Sequence, residues 1–171
     1  EMVQLWVNLP ARHKSATPGY QTLLRAAIPT RDLPNDAGTV RVIAGSFDGT
    51  AGPARTFTHV DIWDVRMKRD GLATFRLPEG HTVSVVSLDG TVEINGSDIV
   101  RAGQLVTFAR EGGDITVEAN GDAKLLVLSG EPIDEPVVAH GPFVMNTVGE
   151  IKQAMLDFQN GRFGQLEAAQ A

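Results

Sequence analysis

The stretch TVSVVSLDGTVEINGSDIVRAGQLVTFAREGGDITVEANGDAKLLVLS, residues 82–129, gives the clearest indication of the fold of this chain. Short runs rich in Val, Ile, Leu and Thr alternate there with pairs of turn residues, a rhythm typical of a β-sandwich or β-barrel. The runs predict strands at 82–88, 91–94, 99–100, 104–109, 115–119 and 124–129. The turn signals between them are Asp89-Gly90, Asn95-Gly96, Gly112-Gly113 and Asn120-Gly121, of which Asn-Gly is the pair preferred in tight hairpins.

The same β pattern extends upstream of this stretch. Residues 39–44, 59–67 and 73–77 predict three further strands, and the run at 59–67 alternates apolar and polar residues as a half-buried strand does. The Gly-rich segment at 45–53 is predicted to be a loop, since it lacks the GxxxxGK[ST] pattern of a phosphate-binding loop. We therefore predict an all-β chain whose antiparallel barrel closes or nearly closes, which leaves few unpaired strand edges.

A helix is predicted at the C-terminal end. Residues 131–143 carry three prolines, which restrict the backbone to an extended strap. Thr147 and Glu150 then form the pattern of a capping box, and Gly161 marks the expected helix end. An apolar stripe at helical spacing is expected to pack against a core; its members are Ile151, Ala154, Met155 and Phe158.

The N-terminal part is predicted to hold one strand and a connector. Residues 2–9 are rich in apolar side chains and Pro10 follows them, which indicates a buried strand without an obvious hairpin partner nearby. Residues 11–37 contain several Pro, Gly and Asn turn signals and are interpreted as a connector over the surface. The sequence starts at Glu1 with no methionine before it, so we expect it to begin inside a longer protein.

The composition of the chain excludes several classes of function. The chain has 171 residues and a formal net charge of −6, so it offers no basic surface for direct nucleic-acid binding. It has no cysteine, which rules out disulfides and thiolate chemistry and fits a reducing compartment; we expect a cytoplasmic protein. No apolar run is long enough for a membrane span, and no signal peptide is recognisable.

Candidate catalytic and metal-binding residues are few. The four histidines, His13, His59, His81 and His140, do not stand at ligand spacing from one another, and we interpret them as solvated or ordinarily hydrogen-bonded side chains. For His81 a pH-sensitive contact is the alternative. Acidic pairs are interpreted as turn and solvent-face residues, because nothing places a second acid opposite them; they are Asp61 with Asp64 and Asp134 with Glu135.

Two terminal segments carry a family resemblance. The run GEPIDEPVVAHGPFVMNTVGEIKQAMLDFQNGRFG at 130–164 resembles the end of proteins of the pirin family. QLWVNLP at 4–10, with Lys14, Pro18, Tyr20 and Gln21, is similar to the pirin segment that leaves the first barrel. Pirins are bicupins, with two β-barrels in tandem. The resemblance implies a cupin-like barrel, a double-stranded β-helix, followed by the C-terminal α-helix.

The resemblance also implies a domain organisation. Residues 1–10 would be the residual strand of a first, missing cupin barrel, and residues 11–37 the linker. Residues 38–130 would form the C-terminal barrel, 131–164 the strap and helix, and 165–171 a tail.

The run at 77–96 and the run at 101–115 resemble a cupin core, in which three histidines and a glutamate hold a metal. The cupin ligand positions fall here on Leu77, Glu79, Val83 and either Asp114 or Ile115, of which only Glu79 could ligate readily. We expect the apolar members to fill the pocket. In pirins the iron ligands lie in the first barrel, before the segment at 4–10, and have no matching position in this chain. We therefore predict no metal, catalytic or cofactor-binding residue here.

The functional expectation is a metal-free C-terminal cupin domain with a structural or interaction role. Its partner would be an N-terminal cupin barrel or a second copy of the chain, and by itself the chain is expected not to be an enzyme. The resemblance leaves two alternatives open: part of an iron-dependent quercetin 2,3-dioxygenase, or a partner-binding protein like a transcription co-regulator.

Overall fold

The computed structural model describes residues 2–164, and these divide into two compact units. Leu23–Pro132 form the barrel unit, while the residues up to Thr22 and those from Ile133 form the terminal unit. The predicted tail at 165–171 lies outside the described residues. Within residues 2–164, no helix has the length and apolar character needed to span a bilayer.

The barrel unit is built from antiparallel strands in two main sheets. The strands are β1 (Thr30–Asp32), β2 (Gly38–Ala44), β3 (Ser46–Phe47), β4 (Thr50–Ala51), β5 (Val60–Met67), β6 (Leu72–Arg76), β7 (Thr82–Asp89), β8 (Thr91–Ile94), β9 (Asp98–Arg101), β10 (Leu105–Thr107), β11 (Asp114–Ala119) and β12 (Ala123–Gly130). One sheet has the order β1-β2-β5-β12-β7-β10 and the other β6-β11-β8-β9, while β3 and β4 form a small hairpin. The all-β prediction is confirmed.

Alternation along the strands produces the core. Every second residue of β2 and β5 is buried, so successive side chains point to opposite faces. The Trp63 ring lies among other aromatic rings, with centroid distances of 5.1 Å to Phe47 and 6.2 Å to Phe75. Burying one such side chain contributes about 1.5–3 kcal/mol, so the shared core holds the unit together. Its fully buried members include Val40, Val42, Val65, Val85, Val92, Ile94, Val117, Leu125 and Val127.

The predicted turns join strands in two different ways. Asn95-Gly96 closes a true hairpin, because β8 and β9 pair directly with Ile94 opposite Asp98. Asn120-Gly121 instead connects β11 and β12, which belong to different sheets. The Asn-Gly signal therefore located both turns, but only one of them is a hairpin.

The prediction of a surface connector at 11–37 is wrong for the last residues of that range. β1 pairs with β2, with Arg31 opposite Val40. Leu33 and Ala37 are buried in the core of the barrel unit. Residues 30–32 join the sheet because β2 has an edge that is free to pair with β1.

The terminal unit does not contain the N-terminal strand that the sequence predicts. Residues 2–10 form neither helix nor strand, and Val3, Trp6 and Val7 are exposed. The prediction of a buried strand at 2–9 is therefore wrong. A strand requires a hydrogen-bonded neighbour, and no strand of the described residues pairs with this segment.

The predicted strap at 131–143 folds back on itself. β13 (Val138–His140) pairs with β14 (Phe143–Met145) across a turn at Gly141 and Pro142. The approach to β13 bends at Glu135, so the prediction of a uniformly extended strap is wrong, and no local pattern indicated the strand pairing.

The terminal helix begins where the sequence predicts. In α1 (Val148–Gln159) the Thr147 hydroxyl accepts from the Glu150 N–H at 3.2 Å and donates to the Glu150 carboxylate at 2.8 Å. Gly161 follows the helix with a positive φ of 67°.

The inward stripe of α1 is shorter than predicted. Ile151 and Ala154 are buried, but Phe158 is exposed, so its expected place in a core is wrong. Its ring packs beside Phe143 and Phe163 at 6.0 and 5.8 Å. The three rings form a surface cluster because the helix is only twelve residues long and ends one turn beyond its buried face.

Candidate functional site

The cupin ligand positions lie at one end of the barrel unit. Leu77, Val83 and Ile115 are buried and line a cavity of about 260 Å³. Asp114 lies at its exposed edge, whereas Glu79 is exposed and does not line it. Aliphatic side chains therefore stand at three of the cupin ligand positions, but the prediction that they fill the pocket is wrong. These side chains surround a cavity and do not fill it.

The donor atoms around this cavity do not fit a transition metal. Such ions need several imidazole or carboxylate ligands converging on one point, and Leu, Val and Ile offer no lone pairs. Within residues 2–164, no group of three or more His, Asp or Glu side chains is arranged to hold a metal ion.

His81 is the basic side chain that lines the cavity. It follows the turn at Pro78, to whose carbonyl its backbone N–H donates at 3.3 Å. Its Nδ1 lies 2.9 Å from Ser129 Oγ, and its ring meets the His59 ring edge to face at 5.1 Å between centroids. Ser129 reaches this place because it occupies an inward position on β12, directly opposite Val83 of β7.

Asp61 is the buried acid of the same barrel end. The alternation that turns Trp63 inward also turns Asp61 inward, and only 2% of the residue is exposed. Its Oδ1 accepts from the Ser46 N–H at 3.0 Å and lies 3.5 Å from His59 Nε2. The interpretation of Asp61 as a solvent-face residue is therefore wrong, because these donors replace water around the carboxylate.

The polar cluster of His59, Asp61, His81 and Ser129 is the arrangement that sequence reasoning missed. His59 and Asp61 are close in the chain, but Ser129 is separated from His81 by 48 residues. The sequence did contain one indication of it. Side chains alternate between the two faces of β5, so Asp61 lies on the same face as Trp63. The register of β5 against β12 then places Asp61 opposite Ser129, which no local pattern could indicate.

Other predicted polar residues have ordinary roles. Asp64 lies on the outer face of the sheet, where its carboxylate pairs with Arg66 at 2.9 Å and Arg41 at 3.1 Å. His13 receives a hydrogen bond from Arg12 Nε at 3.2 Å, and His140 is exposed on β13.

Known proteins resemble this chain over most of its length. It is 51% identical over 163 residues to a Pseudomonas aeruginosa protein provisionally named quercetin 2,3-dioxygenase, covering 95% of this chain and 57% of that protein. Human pirin is 36% identical over 167 residues, with 95% and 57% covered. The chain thus spans a little over half the length of these relatives.

A solved structure supports the cupin fold. The crystal structure of a quercetin 2,3-dioxygenase from Acinetobacter baumannii superimposes with a TM-score of 0.88 at 39% identity, covering 94% of this chain and 56% of that one. Residues 62–164 match the family described as the pirin C-terminal cupin domain. The chain therefore belongs to the pirin family, and its fold is that of a cupin.

Proposed function

We propose that this chain is a metal-free cupin domain whose role is structural. The observation that carries the proposal is the replacement of the cupin ligands by buried Leu77, Val83 and Ile115. A pocket with this lining cannot hold an ion that activates dioxygen or a substrate. The domain would then act by packing against another barrel, in the cytoplasm.

Metal analysis tests the first part of this proposal. We expect the purified 171-residue chain, dialysed after exposure to Fe²⁺, Mn²⁺, Ni²⁺, Cu²⁺ or Zn²⁺, to retain far less than one ion per chain. Glu79→Ala and His81→Ala should retain the same small amount, because neither residue has enough co-ligands. One ion per wild-type chain, lost in either variant, would contradict the metal-free proposal.

A second candidate function is supported by the names of the relatives. A quercetin 2,3-dioxygenase activity would belong to a longer protein whose iron is held outside the residues present here. Under this proposal the 171-residue chain does not consume quercetin, with or without added Fe²⁺. Metal-dependent turnover by this chain alone would place the active site within it.

The proposed contact surface is the exposed apolar segment at residues 2–9. Trp6 is 76% exposed there, and its neighbours Val3 and Val7 are exposed as well. Apolar side chains exposed side by side favour association, and such a segment can be added to the edge of another sheet. The partner would be an N-terminal cupin barrel or, for the isolated chain, a second copy.

Replacing Trp6 tests self-association through this segment. We expect light scattering to give a dimer for the wild-type chain and a monomer for Trp6→Asp, since a carboxylate cannot be buried without a partner. Tyr20→Asp is the matched control, because Tyr20 is another exposed aromatic residue of the terminal unit. A monomeric wild-type chain, or a dimer that survives Trp6→Asp, would contradict association through residues 2–9.

A further inference from the structure

The cavity at the end of the barrel has the features of a binding site for an organic molecule. We infer that it binds a small uncharged compound with one ring and a hydroxyl group. This inference goes beyond the structural role proposed above and involves no reaction. It rests on the size of the cavity, on the hydrogen bonding of the His81 ring and on the charges at the opening.

The size of the cavity suits a small ligand with a single ring. The cavity measures about 260 Å³, slightly below the range of roughly 300–1,000 Å³ that accommodates drug-sized ligands. Its apolar lining comes from Leu77, Val83, Ile115 and the half-buried Phe108. An apolar ring gains from leaving water for such a surface.

His81 provides the polar contact. Ser129 Oγ engages Nδ1 of its ring, while Nε2 has no hydrogen-bond partner among the described residues. A neutral imidazole carries one donor and one acceptor nitrogen, so Nε2 has whichever role Nδ1 does not. A hydroxyl group can both donate and accept, and therefore matches His81 in either tautomer.

Asn95 adds a second, fixed group to the lining. Its Oδ1 accepts from the Thr116 N–H at 2.9 Å, which leaves the side-chain NH₂ available to donate to a ligand oxygen. The Asn95-Gly96 hairpin described above holds this residue in place, so the contact requires little reorganisation.

Charge excludes acidic ligands. Glu111 and Asp114 line the opening, and the lining residues include no Arg or Lys. A carboxylate entering the cavity would lose its hydration and meet like charges. We therefore expect the hydroxyl compound to bind and the corresponding carboxylate to be rejected.

A ligand series on the full 171-residue chain tests the inference, with 4-fluorophenol, fluorobenzene and 4-fluorobenzoate followed by fluorine NMR. We expect 4-fluorophenol to bind about tenfold more tightly than fluorobenzene, the difference made by one hydrogen bond, and 4-fluorobenzoate not to bind. Methyl resonances of Leu77, Val83 and Ile115 should shift with 4-fluorophenol. Equal affinity for all three compounds, or shifts elsewhere only, would overturn the inference.

Variants separate the polar contact from the cavity itself. His81→Phe should remove the preference for the phenol while fluorobenzene still binds. Ala109→Trp should block the opening, because Ala109 is an exposed lining residue, whereas Ala102→Trp at an exposed turn outside the lining should change nothing. A phenol preference that persists in His81→Phe would overturn the assigned contact.

These readouts are independent of the proposed structural role. Metal retention and association through residues 2–9 are measured without any ligand. A failure of phenol binding would therefore leave those results unchanged. Retained metal or a monomeric chain would likewise leave the ligand-binding results unchanged.

Discussion

Replacing Gly38 by alanine is expected to lower the free energy of unfolding by about 4 kcal/mol. Gly38 begins β2 with a φ of 146°, a conformation that residues with a Cβ rarely adopt. A Cβ there would lie 1.9 Å from the Arg66 carbonyl oxygen and 3.0 Å from Met67 Cα. Both atoms belong to the backbone of the neighbouring β5, so the two strands would have to separate.

Gly121→Ala is the matched control for this substitution. Apart from the two adjoining residues, no part of the chain that the structure describes lies within 4 Å of a Cβ built at Gly121, and its φ is not positive. The change should alter stability by no more than about 0.5 kcal/mol. Urea unfolding followed by far-ultraviolet circular dichroism measures both variants, and similar midpoints for them would contradict the close contact between β2 and β5.

Trp63→Ala is expected to lower the free energy of unfolding by about 3–5 kcal/mol, as other large-to-small core substitutions do. The side chain is 2% exposed and packs against Phe47 and Phe75. Its indole Nε1 is buried and has no hydrogen-bond partner within residues 2–164. Trp63→Phe removes that unsatisfied N–H along with some apolar surface, so it should cost only about 1 kcal/mol.

Trp6→Ala provides the comparison for Trp63, because Trp6 is largely exposed. The free energy of unfolding of the Trp6→Ala variant should stay within about 0.5 kcal/mol of the wild-type value. Both values are extrapolated from urea unfolding at a protein concentration where the chain is monomeric. A Trp63→Ala loss as small as that of Trp6→Ala would show that Trp63 does not belong to the core. A Trp63→Phe loss equal to that of Trp63→Ala would contradict the expectation that a phenyl ring recovers most of the lost apolar burial.

Strand positions were predictable because period-two patterns are local. The strand predicted at 91–94 has the observed bounds of β8, and the run at 59–67 differs from β5 by one residue. The start of α1 was predictable for the same reason, since the Thr147 and Glu150 contacts span one helical turn.

Strand partners were not predictable, because pairing is decided by burial across the whole sheet. Asn120-Gly121 reverses the chain, yet β11 and β12 separate into different sheets. The candidate site depends on such partners: only the register of β12 between β5 and β7 brings Ser129 to His81. The aliphatic replacement of the ligands could be read from the residues, but the cavity could not, since it depends on how closely they pack.

The central place of β12 has a consequence for biosynthesis. β12 is the last strand of the barrel unit along the chain, yet it inserts between β5 and β7, with Leu125 opposite Val65 on one side and Ser87 on the other. Until the ribosome has released residues up to Gly130, the nascent sheet has a gap with two unpaired edges. Contacts that join distant segments slow folding, and open edges in a partly made chain invite aggregation. Protection of the emerging polypeptide by a chaperone should therefore matter most just before β12 is complete.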